Sequence, residues 1–179
     1  MICLVHPNDM SVDAPTTKYT RFPTVSLGAE YLVMGHLMRR NILAYKAPPN
    51  NEGYDLICIH PNPRKVTRQI RVQVKSRLAT DHGGGFPIKE STITAFDYVI
   101  VAYLNIDFFF KKRQHGIRDG HREPDFYTLP AAMIRKHHDA SSSWEKVNLR
   151  GINLEKFHNY TGFELIAKAL QIPYPCKAT

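Results

Sequence analysis

The sequence predicts an α+β or α/β sandwich, with one central mixed β-sheet flanked by helices. Three observations predict it. A helix-spaced apolar pattern begins near Ser26, and two strand-like segments, Tyr54–His60 and Gln69–Ser76, follow with a Pro61–Asn62–Pro63 break between them. Later, Tyr98–Leu104 is almost wholly apolar, as a strand buried on both faces should be. Helix, strands, then helices within 179 residues fits one domain of ordinary size.

The first 25 residues are rich in Pro, Thr and Asp and read as an irregular arm, leaving 26–179 as the folded unit. Ser26 is the expected N-cap of a helix running to about Arg40. On it Leu27, Tyr31, Met34, Leu37 and Met38 are expected to share the buried face. Glu30 falls within that face, where a carboxylate is costly unless something pairs with it. Asn41 ends the helix, Ile42–Lys46 is a short strand, and Pro48–Gly53 a turn-rich loop. The two strand-like segments form a hairpin.

Beyond the glycines at 83–85, Phe86–Lys89 is a short strand, Tyr98–Leu104 the central one, and Asp107–Phe110 an extension of the sheet. Lys111–Glu123 is charged and is expected to be a mobile loop. Phe126–Leu129 reads as the last strand, Pro130 starts a short helix to about His138, and Asp139–Ser143 is a polar connector. Thr161 and Glu164 have the spacing of a capping box for a helix over Gly162–Leu170, and Trp144 is expected in the core.

Composition narrows the partners. Lys and Arg number 24 against 16 acidic residues, a formal charge of +8, which favours a polyanion such as nucleic acid. The three cysteines have no metal-type spacing, and no stretch approaches the ~20 apolar residues of a membrane span. A soluble, reduced, cytoplasmic protein is expected. The nine histidines form no chelating pattern, and 83–85 lacks the Lys-Ser/Thr sequel of a phosphate-binding loop.

The chemistry concentrates in Arg71–Val72–Gln73–Val74–Lys75–Ser76. Strand alternation sends Val72 and Val74 to the core and Gln73 and Lys75 together to the other side. With the right hairpin register Asp55 stands beside them, and Glu30 reaches the same spot from the helix. Two carboxylates and an amide oxygen are hard ligands suited to Mg²⁺ or Mn²⁺. The adjacent ammonium suits phosphate. Each residue also has a plainer reading: Glu30 as a helix acid favoured by the macrodipole, Asp55 as a turn residue, Gln73 and Lys75 as the solvated face of an edge strand.

Taken in order, Glu30, then Gly53–Tyr54–Asp55–Leu56–Ile57, then Gln73–Val74–Lys75–Ser76, then Phe96–Asp97–Tyr98–Val99–Ile100–Val101 resembles the PD-(D/E)XK, or restriction-endonuclease-like, nucleases. The resemblance covers roughly residues 26–104. It implies a restriction-endonuclease-like core, a metal-binding Asp55, the motif lysine at Lys75, and Mg²⁺-dependent hydrolysis of DNA phosphodiesters. Gln73 stands where the motif usually has an acid, a QxK form similar to Mrr-type branches, and it removes one negative charge. A catalytically inactive nucleic-acid-binding module of the same fold, or an RNA nuclease, is the alternative. Arg64, Lys65 and Arg68 in the hairpin loop, Arg77 beyond the motif, and Lys111, Lys112 and Arg113 are the expected phosphate contacts. Double-strand cutting with one site per chain calls for two subunits, so a homodimer is expected.

Overall fold

The computed structural model describes residues 23–78, 85–106, 122–141 and 144–174. The expected features at 107–110 and 111–121, and with them Lys111, Lys112 and Arg113, lie outside the described residues. The fold is α+β and is organised by a mixed five-stranded sheet.

Helix α1 spans Pro23–Met38, so it starts three residues before Ser26 and takes in the last residues of the expected arm. Proline is at ease in a first turn, because its missing N–H would have had no partner there. The chain leaves α1 through Asn41, whose φ of 61° is the left-handed exit asparagine tolerates. Strands β1 (Leu43–Lys46), β2 (Leu56–Ile59) and β3 (Ile70–Arg77) then form an antiparallel meander. The expected hairpin is therefore present, with Leu56 opposite Val72.

Strand β4 (Phe86–Pro87) does not join this sheet. Strand β5 (Tyr98–Tyr103) lies parallel to β3, with Gln73 opposite Val99 and Lys75 opposite Val101. Strand β6 (Asp125–Pro130) closes the sheet antiparallel to β5, giving the order β1-β2-β3-β5-β6. Helix α2 (Ala131–Lys136) follows Pro130 directly. Strand β6 is not the last: the two-residue strands β7 (His138–Asp139) and β8 (Lys146–Val147) join β4 in a small second sheet. Strands this short carry no readable alternation. Helix α3 spans Asn159–Ala169. The capping box does not form, since His158 is the N-cap and Thr161 Oγ1 donates instead to the carbonyls of Glu155 and His158.

Two apolar clusters sandwich the sheet. On one face Ala29, Val33 and Leu37 of α1 and Phe163, Ile166 and Ala167 of α3 cover Leu56, Val72, Val74 and Ile100. On the other, Phe86, Phe96, Ile134, Val147 and Leu149 cover Val99, Val101 and Leu129. The expected buried face of α1 is thus corrected: Leu27 (46%), Tyr31 (52%) and Met38 (45%) are exposed, and only Leu37 of the expected set is fully buried. The helix is apolar nearly all round, so spacing alone could not say which side faces inward. Trp144 is 68% exposed and is not core. Among the described residues no helix is long and apolar enough to cross a membrane.

One glycine fixes the approach to β2. Gly53 has φ +94°, and a Cβ there would sit 2.4 Å from the Ala95 Cβ. Gly53→Ala should cost about 1–3 kcal/mol from left-handed backbone strain plus the clash. Urea unfolding of that variant and of Gly53→Ala/Ala95→Gly checks it. The second change should recover the clash but not the strain, and wild-type stability in the single variant would refute the assignment.

Candidate active site

Asp55 is the last residue before β2, and the local backbone turns it inward. Its N–H donates to the Val72 carbonyl (2.9 Å), while its Oδ2 accepts the Val74 N–H (2.7 Å). Val74 lies between Gln73 and Lys75, so the Asp55 carboxylate is anchored on the backbone of the motif itself. Across the strand pair, the Ala47 N–H donates to the Asp55 carbonyl (2.8 Å). Asp55 is therefore held on both sides, with Oδ1 given no hydrogen-bond donor by the described residues.

Strand β3 behaves as alternation requires. Val72 and Val74 face α1, and Gln73 and Lys75 face the opposite side. The edge-strand reading of Gln73 and Lys75 fails, because β3 is the central strand of five. Both are half-buried rather than solvated. Gln73 Oε1 is buried with no hydrogen-bond partner among the described residues. A carbonyl left so forfeits roughly 1–3 kcal/mol. Burial pushes the Lys75 ammonium below its usual range, and the Asp55 charge opposes that shift without cancelling it. A carboxylate, an uncompensated amide oxygen and a desolvated amine thus stand on adjoining strands.

Glu30 is engaged elsewhere. It makes an ion pair with Lys46 of β1 and is mostly buried. The expectation that this carboxylate needs a partner holds, and the partner is Lys46. Lys46 pairs in register with Leu56, the residue after Asp55, so Glu30 is held on the neighbouring strand. The structure brings Asp55, Gln73 and Lys75 together; Glu30 stands apart from them in its own pair. Lys46 escaped the sequence reading. Its signal was there: two positions from Ala44, it shares the face that α1 covers.

The fit to a divalent ion rests on the donor set. Gln73 Oε1 and Asp55 Oδ1 are oxygen donors without hydrogen-bond partners among the described residues, the type that Mg²⁺ and Mn²⁺ prefer. Among the described residues no group of three or more His, Cys, Asp or Glu side chains could hold a metal ion; the donor set here is one carboxylate and one amide. Of the expected phosphate contacts, Arg64, Lys65 and Arg68 lie exposed around the turn Pro63–Lys65, and Arg77 is half-buried at the end of β3.

The Lys75 shift fixes a pH dependence of stability. Below the depressed folded-state value both states carry the proton, and the native state bears the full cost of burying a cation. Between that value and 10.5 only the unfolded chain binds the proton, so stability climbs with pH, by at most about 1.4 kcal/mol per unit, and then levels. Urea unfolding from pH 7.5 to 11 should show wild type gaining on Lys75→Met across that window. Parallel curves for the two proteins would contradict the burial of this charge.

No family model and no curated protein matches the chain, so a functional reading rests on the chemistry of these side chains.

Proposed function

We propose that the chain is a metal-dependent DNA endonuclease that hydrolyses phosphodiester bonds at Asp55, Gln73 and Lys75. The observation that carries the reading is the Asp55 carboxylate bound to the Val74 N–H beside a buried Gln73 oxygen that has no partner among the described residues. Leaving an amide oxygen orphaned next to a fixed carboxylate makes little sense for stability alone. It makes sense as a pair of donors awaiting a cation.

Asp55 and Gln73 would hold Mg²⁺, or Mn²⁺; Glu30, paired with Lys46 on the face that α1 covers, is not among the donors. When bound, such an ion polarises a phosphate oxygen and supplies hydroxide near neutral pH. The chain's own contribution is positional. Asp55 is fixed by backbone bonds on both sides, which removes side-chain freedom before substrate arrives. Lys75, poorly solvated and directed to the same side, supplies positive charge where the phosphorane builds negative charge. Its depressed pKa also lets it exchange a proton with the attacking water more easily than a solvated lysine does. Arg64, Lys65, Arg68 and Arg77 supply phosphate contacts that carry no sequence information, and the +8 charge draws the duplex in.

A catalytically inactive DNA-binding module is the second reading, favoured by the Glu30–Lys46 pair and by the neutral Gln73. Incubating supercoiled plasmid with Mg²⁺, Mn²⁺ or EDTA separates the two. Metal-dependent nicking should be lost by at least about 100-fold in Asp55→Asn and in Lys75→Ala, with DNA binding retained in both. Binding by wild type without nicking in either metal selects the inactive module.

A further inference from the structure

Half of one sheet face has no apolar cover among the described residues. Ala44, Leu56 and Cys58 of β1 and β2 point into the core beneath α1. Alternation therefore turns Leu43, Tyr45, Ile57 and Ile59 to the other face, the one that carries Gln73 and Lys75. On that face the second apolar cluster lies over β5 and β6, and none of these four side chains belongs to it. Tyr45 is 50% exposed on β1, the edge strand, and Leu43, Ile57 and Ile59 are half-buried. The register sets Tyr45 opposite Ile57 and Ile57 opposite Arg71. The row thus runs from an aromatic ring through an aliphatic side chain to a guanidinium.

This row borders the candidate active site. Asp55 is two residues before Ile57 and Gln73 two residues after Arg71, a step of about 7 Å along a strand. The charges around the row are unequal. Arg71 makes an ion pair with Asp97, and the Asp55 carboxylate holds the Val74 N–H. Lys75 has no direct ion pair among the described residues, and neither do Arg64 and Lys65 in the turn that closes the β2–β3 hairpin. Against these three cations stands Glu52, an exposed carboxylate in the loop before Gly53.

An apolar row beside unanswered positive charge fits a ligand that is flat, apolar and anionic at once, and a single nucleic-acid strand is such a ligand. Duplex DNA is not. Its base faces are stacked inside the helix, and it offers a protein surface only phosphates and groove edges. Unpaired bases expose their π-faces, which stack on tyrosine and on guanidinium planes. A second copy of the chain on this face would bring two such sets of cations together and would cover Asp55, Gln73 and Lys75.

We propose that the strand to be cut is single-stranded DNA, with an unpaired base stacked on the Tyr45–Ile57–Arg71 row and the neighbouring phosphate at Asp55, Gln73 and Lys75. A melted stretch of supercoiled plasmid offers the same unpaired bases. This inference rests on the nuclease reading and names its substrate class.

The test compares a 20-nucleotide DNA strand with its 20-base-pair duplex, in EDTA so that no cleavage intervenes. Wild type should bind the strand more tightly. Tyr45→Ala should weaken strand binding roughly tenfold, the effect of losing one base–aromatic stack, and leave duplex binding unchanged. Tyr45→Phe should keep strand affinity, because the ring and not the hydroxyl makes the contact. Tyr45 is half exposed on an edge strand, so both variants are expected to fold. Unaltered strand affinity in Tyr45→Ala, equal losses for strand and duplex, or tighter binding of the duplex by wild type would overturn the stacking row. Tighter binding of an RNA strand of the same sequence would overturn the assignment to DNA. A wild-type dimer that Tyr45→Ala dissociates would make the face a subunit interface and overturn it too. Each of these failures leaves the nuclease reading standing if plasmid is still nicked with Mg²⁺. Strand binding that depends on Tyr45, without nicking in Mg²⁺ or Mn²⁺, would remove cleavage alone and keep the row as a binding site.

Discussion

The bond from the Val74 N–H to the Asp55 carboxylate is the contact on which the rest of the site depends. It joins the start of β2 to the middle of β3 through a side chain rather than through the usual ladder. An ionised acceptor makes that bond stronger than a neutral one. It also sets the carboxylate beside Gln73 and Lys75, because these two residues flank Val74 in the strand. Gly53 makes the approach possible, with a φ that few other residues tolerate and a contact with Ala95 that leaves no space for a side chain.

The same neighbourhood contains groups that stability alone would not select. Lys75 loses water without gaining a direct ion pair among the described residues, and Gln73 Oε1 has no donor. Both sit on the central strand, flanked by β2 and β5, where neighbours on each side limit their escape to solvent. The surroundings over-determine them: Val72 and Val74 fasten the other face of the strand into the main core, and Asp97 caps the start of the β3–β5 pair by accepting the Arg71 N–H at 2.7 Å. Strain of this kind persists where the scaffold is rigid enough to hold it.

Much of this arrangement was legible in the sequence, and the reason is periodicity. Two-residue alternation in Val72–Lys75 has only one way to lie against a core, so the split between buried valines and outward Gln73 and Lys75 followed directly. The apolar run at Tyr98–Tyr103 could only be interior. Helix α1 was different, since apolar residues surround it and the sheet selects Ala29, Val33 and Leu37 through size and fit rather than hydropathy. The Glu30–Lys46 pair depends on how the helix crosses β1, a tertiary fact with only the Ala44–Lys46 alternation as a local clue. Asp125 and His158, 33 residues apart, meet through a single bridge pair, which no local pattern announces.

Charge balance holds on both faces of the sheet. Asp55 is offset by Lys75, and Glu30 by Lys46, so the four side chains sum to zero before any ligand arrives. An acid in place of Gln73 would have tipped that balance toward a cation. With an amide there, the negative charge that retains a divalent ion has to come largely from elsewhere. Under the nuclease reading it comes from the substrate: Mg²⁺ is commonly held by one or two carboxylates together with phosphate oxygens and water. The neutral glutamine then couples ion binding to DNA binding, since each supplies the charge that the other lacks. On that reading, a chain of net charge +8 with a neutral glutamine at its centre would gather the polyanion first and complete its metal site with it.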